Sequence, residues 1–322
     1  MAVEIALGAA VSTSPRYRRL LACVIAPGLI GVGVLPASAA TYTVVVAGLG
    51  GEPAYEQRFR EHAAAVARAA EKAAGSTANV VSLTGDAAKA ANVRREIKSL
   101  AGRMKADDSA IVVLIGHGSY DGETYRFNLP GPDLTDTELA RLFDSLPARD
   151  QLIINATSAS GAVIEHWKKP RRVVITATKS GGERTATRFA QYWAQAVTSE
   201  AADTNKDQVV TAAEAYAFAT NRVEAAFKAE TAMATEHARM EGDDVGRFAL
   251  ARLGSEALVP DNPEVAALLS QRGAIEQDLN RVKEQKAALA ESQYYDRLEE
   301  VLVRLALLQR QIDTKVGGVA TP

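Results

Sequence analysis

The chain has 322 residues, with 37 lysines and arginines against 39 aspartates and glutamates, and one cysteine. With 47% hydrophobic and 24% charged residues it has the make-up of a soluble globular protein, which excludes a disordered chain and the basic excess of a nucleic-acid binder. One cysteine also excludes a disulfide framework and a cysteine-based zinc site.

Arg16, Arg18 and Arg19 precede an apolar run from Leu20 to Leu35, and Pro36-Ala37-Ser38-Ala39-Ala40 follows. A positive start, an apolar middle and an A-x-A site are the three parts of a secretory signal, here cleaved after Ala39. Pro27, Gly28, Gly31 and Gly33 interrupt the run, which is short for a membrane span. Residues 1–39 are therefore expected to export the chain, to the periplasm or the medium, and to leave no integral membrane segment behind. Cleavage removes three arginines and one glutamate, so the mature balance is 34 minus 38, or −4. It also removes Cys23, the only cysteine.

Strands and helices then alternate. Tyr42 to Val46 reads as a strand ending in Gly48-Leu49-Gly50-Gly51, and Ala54 to Ala74 as an alanine-rich helix. Strands follow at Val80–Leu83, Ala110–Ile115, Gln151–Asn155 and Val173–Ala177. Helices lie between and after them at Ala91–Lys105, Thr135–Leu146 and Thr187–Val197, the second opened by the capping box Thr135-x-x-Glu138. Continuous Val/Ile runs separated by helices predict a mostly parallel sheet covered on both faces. The fold class is thus α/β, a three-layer sandwich over residues 40–255.

In such folds the chemistry sits at the carboxyl ends of the strands. The glycines after the first strand lack the third glycine of a dinucleotide site and predict a tight turn. The third strand ends Gly116-His117-Gly118, a histidine free to exchange protons near neutral pH and given room by two glycines. The next strand ends Asn155-Ala156-Thr157-Ser158-Ala159-Ser160-Gly161, and Thr157 or Ser158 would lie on a strand end beside His117, where a nucleophile and its base belong. The same residues would equally cap the following helix. His62, His166 and His237 fall on predicted helices as surface or packing residues.

These two strand ends resemble the legumain and caspase-like group of cysteine peptidases. Its members carry an apolar strand ending in His-Gly, as in Val112-Val113-Leu114-Ile115-Gly116-His117-Gly118. A later strand runs into a Glu/Gln-Ala-Cys turn, often followed by Ser-Gly; Asn155-Ala156-Thr157 and Ser160-Gly161 stand there in this chain. The resemblance implies a caspase-like sandwich, His117 as the catalytic histidine, and the Gly118 backbone as part of an oxyanion site. It also places the missing nucleophile, on Thr157 counted from the strand and on Ser158 counted back from Ser160-Gly161. A thiol has an unperturbed pKa of about 8.5, whereas a hydroxyl depends on a well-placed base, usually oriented by a third group. No orienting carboxylate is identifiable, and the Thr157 methyl crowds an approach built for a thiol. The expectation is a non-catalytic descendant that binds a peptide or protein ligand; a hydrolase using Ser158 or Thr157 with His117, or a calcium-responsive structural protein, are the alternatives.

Residues 203–214 match the twelve-residue EF-hand calcium loop. Asp203, Asn205 and Asp207 occupy positions 1, 3 and 5. Val209 would offer its carbonyl, Thr211 its hydroxyl or a water, and Glu214 the bidentate carboxylate. Gln208 stands where the motif has glycine, and a left-handed residue with a Cβ costs about 1–2 kcal/mol, which weakens Ca2+ binding without forbidding it. The other reading is an Asp/Asn turn capping the next helix.

Pro260 and Pro263 mark a linker, 256–263. Beyond it, Val265, Leu268, Ile275, Leu279, Val282 and Leu289 form one seam, with Arg272 and Lys286 at the skipped positions. Tyr294, Leu298, Val301, Leu305, Leu308 and Ile312 form a second. The spacing predicts an antiparallel helical hairpin or coiled coil over 264–316, also suited to docking a partner or another copy of the chain, with a short disordered tail at 317–322.

Overall fold

A computed structural model describes residues 39–253 and 263–317. The expected signal lies outside them but for Ala39, as do the linker but for Pro263 and the tail but for Gly317. The elements run β1 (Thr41–Ala47), α1 (Pro53–Ala74), β2 (Val80–Leu83), α2 (Ala90–Ala101) and β3 (Ser109–Gly116). Then come β4 (Gly118–Tyr120), β5 (Tyr125–Phe127), β6 (Leu134–Thr135), α3 (Asp136–Asp144), β7 (Asp150–Thr157) and α4 (Ile164–Trp167). They continue through β8 (Arg172–Thr176), α5 (Phe189–Ala196), β9 (Val209–Thr211), α6 (Ala212–Ala229), β10 (Arg239–Glu241) and β11 (Ala249–Arg252). Two long helices, α7 (Pro263–Glu284) and α8 (Glu291–Gly317), close the chain.

The main sheet has the order β10-β8-β7-β3-β1-β2 and is parallel except for β10, which runs antiparallel to β8 at the edge. Both faces are covered, which is why the strands read as unbroken apolar runs. Side chains still alternate between the faces. Ile111, Val113 and Ile115 of β3 and Leu152, Ile154 and Ala156 of β7 join the core under α1, α5 and α6. Val112 and Leu114 of β3 and Ile153 of β7 join the core under α2, α3 and α4. This is the mostly parallel three-layer α/β sandwich that the sequence predicts. Thr135 caps α3 with the expected reciprocal box to Glu138.

A small antiparallel sheet, β4-β5-β6, leaves the end of β3 and folds over the α2/α3/α4 side of the main sheet. Tyr125 and Phe127 of β5 are fully buried there. Arg172, 4% exposed, ties this side together: it donates to Gln151 Oε1 of β7 at 2.8 Å, to the Trp167 carbonyl of α4 at 3.0 Å and to Asp144 Oδ1 of α3 at 2.7 Å.

The last two helices form the antiparallel hairpin. Lys315 pairs with Glu264, Arg272 with Gln309, Arg304 with Asp278 and Arg297 with Gln285, contacts that step toward the turn. Tyr294, Val301, Leu308 and Ile312 of the second seam are buried. The hairpin also lies on the α/β domain. Glu276 takes a two-pronged ion pair from Arg252 of β11, and Leu269 packs on Gly75, where an added Cβ would stand 3.2 Å from the leucine Cβ. Of the described residues, no helix is long and apolar enough to cross a membrane.

Removing a buried charge from a hydrogen-bonded pair is costly, so Arg172→Ala is expected to lower unfolding stability by about 3 kcal/mol in urea titration; a loss under about 1 kcal/mol would contradict the role given to Arg172.

Candidate functional site

The register pairs Gly116 of β3 with Thr157 of β7, so the two strand ends singled out in the sequence meet side by side. Their side chains part company there. The His117 ring turns to the α1 face, edge-on to Tyr55 and Phe59 at centroid distances of 4.9 and 5.1 Å. Thr157 lies two residues after Asn155 on β7 and shares its face, the side covered by β5 and α4.

On that face Thr157 is fully buried. The Tyr125 hydroxyl lies 2.6 Å from Thr157 Oγ1, and Thr157 Oγ1 donates to Asn155 Oδ1 at 2.8 Å. The Tyr125 hydroxyl also lies 3.2 Å from Asn155 Oδ1, and Thr157 Oγ1 lies 3.1 Å from the Ser158 carbonyl oxygen, so every acceptor within reach of the Thr157 proton is a neutral oxygen. Burial pushes the Tyr125 phenol far above its ordinary pKa and keeps it a donor. The acceptors open to the Thr157 proton are thus an amide oxygen, a main-chain carbonyl and a phenolic oxygen, none of which is a general base at neutral pH. The Tyr125 ring is braced edge-on by Trp167 at 6.2 Å, and Trp167 donates to the Asp136 carbonyl.

Ser158 is 3% exposed. Its Oγ accepts from the Gly118 N–H at 3.3 Å, the group that the resemblance assigns to an oxyanion. Gly118 is needed for the packing: a Cβ there would stand 2.5 Å from the Ser158 carbonyl oxygen and 2.7 Å from Thr157 Oγ1. Among the described residues no hydrogen bond joins the His117 ring to either hydroxyl. Among the same residues no carboxylate orients the ring by a hydrogen bond either.

The turn after β7 is held from outside. Ala159 adopts φ 55, a conformation that costs a residue with a Cβ, and its N–H donates to the Glu183 carbonyl at 2.7 Å. Ser160 Oγ accepts from the Thr178 N–H at 3.1 Å, and the Gly161 N–H donates to Thr178 Oγ1 at 2.8 Å. Gly161 sits so close to the 178–183 segment that a Cβ would meet the Ser180 nitrogen at 2.2 Å.

Several of these partners escaped the sequence reading. Tyr125 lies 30 and 32 residues from the Asn155 and Thr157 it bonds, although Asp121-Gly122 ahead of an alternating Tyr125-Arg126-Phe127 is a hairpin signal. Asn128 donates its N–H to the His117 carbonyl at 3.1 Å and buries its Oδ1 without a partner. His237 is not helical as expected; it precedes β10 in an irregular segment and holds Glu183 through its ring at 2.5 Å and its N–H at 3.1 Å. Acceptors on Glu183 thus draw this segment out of the helix pattern.

At the other end of the chain's central domain, the 203–214 loop is a tight turn closed by its own Asp and Asn side chains. Gln208 takes φ 65 in the glycine position. Asp203, nearly buried, accepts from the N–H groups of Asp207 and Gln208 at 3.2 and 3.0 Å. Asp207 Oδ1 accepts from the Val209 N–H, and Asn205 Oδ1 from the Asp207 N–H. The oxygen-rich donor set suits a hard cation. Glu214, however, is occupied elsewhere. One oxygen accepts from the Thr204 N–H and hydroxyl at 3.0 and 2.9 Å, the other from the Thr211 N–H and hydroxyl at 3.0 and 2.8 Å, in the capping box of α6. Among the described residues no three histidine, cysteine or acidic side chains converge on one point.

No protein-family model matches the sequence, and no curated protein matches it. Solved structures with a similar course of the chain include caspase-1 from Spodoptera frugiperda, at 9% identity and a TM-score of 0.45 over 69% of this chain and 93% of that one. A structural-genomics protein from Geobacter sulfurreducens matches at 12% identity and a TM-score of 0.43, over 67% of this chain and all of that one.

Burial beside Tyr55 and Phe59 lowers the His117 pKa; the Gly50 backbone opposes this and the Arg58 charge adds to it. A histidine that binds its proton more weakly when folded contributes stability above its unfolded pKa, and that contribution is lost as pH falls through the folded value. An NMR titration of the imidazole should therefore give a midpoint below 6.5, the ordinary value. A midpoint at or above it would contradict the desolvated placement against α1.

Proposed function

We propose that the chain is an exported caspase/legumain-like peptidase homologue that has kept the histidine and lost the nucleophile. On this reading it is a non-catalytic protein that binds a peptide or protein, or helps an assembly form, with a calcium loop beside it. One observation carries the proposal: the partners of Thr157 Oγ1 are Tyr125, Asn155 and the Ser158 carbonyl, while the His117 ring faces α1. Neither the resemblance in motifs nor the likeness to solved folds supplies the missing base-to-hydroxyl contact. The export reading rests on the segment before Ala40, and the ligand reading on the retained His117-Gly118 strand end.

A second reading has one observation in its favour. Ser158 Oγ sits on the N–H of the residue that follows His117, whereas Thr157 Oγ1 is enclosed by Tyr125 and Asn155, which makes Ser158 the better hydrolase candidate of the two hydroxyls. A panel of fluorogenic peptides and ester substrates separates the readings. The proposal expects no turnover above that of His117→Ala. Turnover lost in both His117→Ala and Ser158→Ala would establish the hydrolase instead.

For calcium, the donor count supports binding of the weak extracellular class, in the range of about 10⁻⁴–10⁻³ M. Binding would require the Glu214 carboxylate to leave Thr204. Calorimetry should then show a saturable heat at millimolar calcium that Glu214→Gln abolishes and Thr204→Val, which frees Glu214 from a hydroxyl, strengthens. No heat in the unaltered protein would remove the metal from the account.

A further inference from the structure

A pocket of about 660 Å³, partly open to solvent, lies at the end of the sheet opposite His117. The first residues of two strands, Thr41 and Ser109, open onto it, and the roof is the helical hairpin through Leu269, Gly273, Leu279 and Leu305. Its volume is that of a small-molecule site, within the usual range of about 300–1,000 Å³. The inner wall is apolar, with Val66 of α1 and Ile111 and Val113 of β3.

Trp193 of α5 also lines the cavity. It is 1% exposed, and its indole Nε1 is buried with no hydrogen-bond partner. An indole N–H has only a donor to offer, and leaving a buried donor unpaired carries a desolvation cost of about 1–3 kcal/mol. The other tryptophan, Trp167, has its N–H satisfied by the Asp136 carbonyl on the opposite side of the sheet. The missing group at Trp193 is an acceptor.

The charges at the wall decide what kind. Arg252 is neutralised by Glu276, and Glu214 adds a carboxylate whose four hydrogen bonds from Thr204 and Thr211 favour the ionised form. An anionic head group would meet that charge, and the cations of the lining are either paired, Arg252 with Glu276 and Arg247 with Asp150 and Asp244, or exposed to solvent, as Lys283 is. A neutral carbonyl on an apolar chain meets neither objection.

We propose that this cavity binds a neutral single-chain acyl ester or amide, its carbonyl oxygen accepting from Trp193 Nε1. The site is independent of the strand-end chemistry, since no residue of the Tyr125–Thr157–Asn155 chain lines it.

Gly273 provides the test. A Cβ there would meet nothing within 4 Å, and the residue is helical, so Gly273→Leu puts a side chain into the space while favouring α7. The probes are 1-decanoylglycerol, followed by calorimetry on the full chain, and a bromoundecanoyl glycerol, followed by quenching of tryptophan emission. The proposal expects saturable binding with at least half of the Trp193 emission quenched. It expects affinity at least tenfold weaker in Gly273→Leu with no fall in melting temperature, weaker in Trp193→Phe, and weaker for decanoate than for its glycerol ester. Absence of saturable heat or quenching, equal binding by Gly273→Leu, or decanoate binding as tightly as the ester would each overturn it.

Discussion

The hydrogen bonds among Tyr125, Thr157 and Asn155 set the character of the strand end. They lie where no water competes, so each is electrostatically strong. A hydroxyl is a nucleophile only when its proton points toward a base. Here its acceptors are the neutral oxygens of Asn155, Tyr125 and the Ser158 main chain. Tyr125 cannot take it either, because burial makes a phenolate very unfavourable.

The rest of the strand end is built around this commitment. Gly118 must be glycine because Thr157 Oγ1 and the Ser158 carbonyl occupy the space a side chain would need. Ala159 is held in a left-handed conformation by the Glu183 carbonyl, which fixes where Ser158 stands. Period-two alternation then sends Thr157 and the His117 ring to opposite faces of the sheet, although their strands are neighbours and in register. Proximity of two strand ends is therefore weaker than proximity of two side chains, and only the second supports catalysis.

Much of the fold was legible in the sequence because it depends on local rules. Unbroken runs such as Ala110–Ile115 required two covered faces, Thr135-x-x-Glu138 required a helix start, and the seam Tyr294, Val301, Leu308 and Ile312 required a hairpin. The edge strands were not legible: β10 and β11 are short, of mixed polarity, and owe their pairing to strands far away in sequence. At the site, His117, Thr157 and Ser158 could be found from glycines and hydroxyls at strand ends. Their relationship could not, because it depends on Tyr125, which a separate three-stranded sheet brings over from outside the motif. The loop at 203–214 was legible in its spacing and even in the left-handed Gln208. What spacing could not reveal is that Glu214, the residue expected to close on a cation, also serves as the N-terminal capping partner of α6.

The central claim is that the hydroxyls at the end of β7 are not activated. Covalent labelling reads this without any assumption about substrate, since a small fluorophosphonate reacts with an activated serine or threonine and ignores an inert one. Intact-mass analysis of the full chain after prolonged incubation should show no adduct, as it does for His117→Ala. A single stoichiometric adduct, mapped to Ser158 or Thr157 and absent from His117→Ala, would contradict the account.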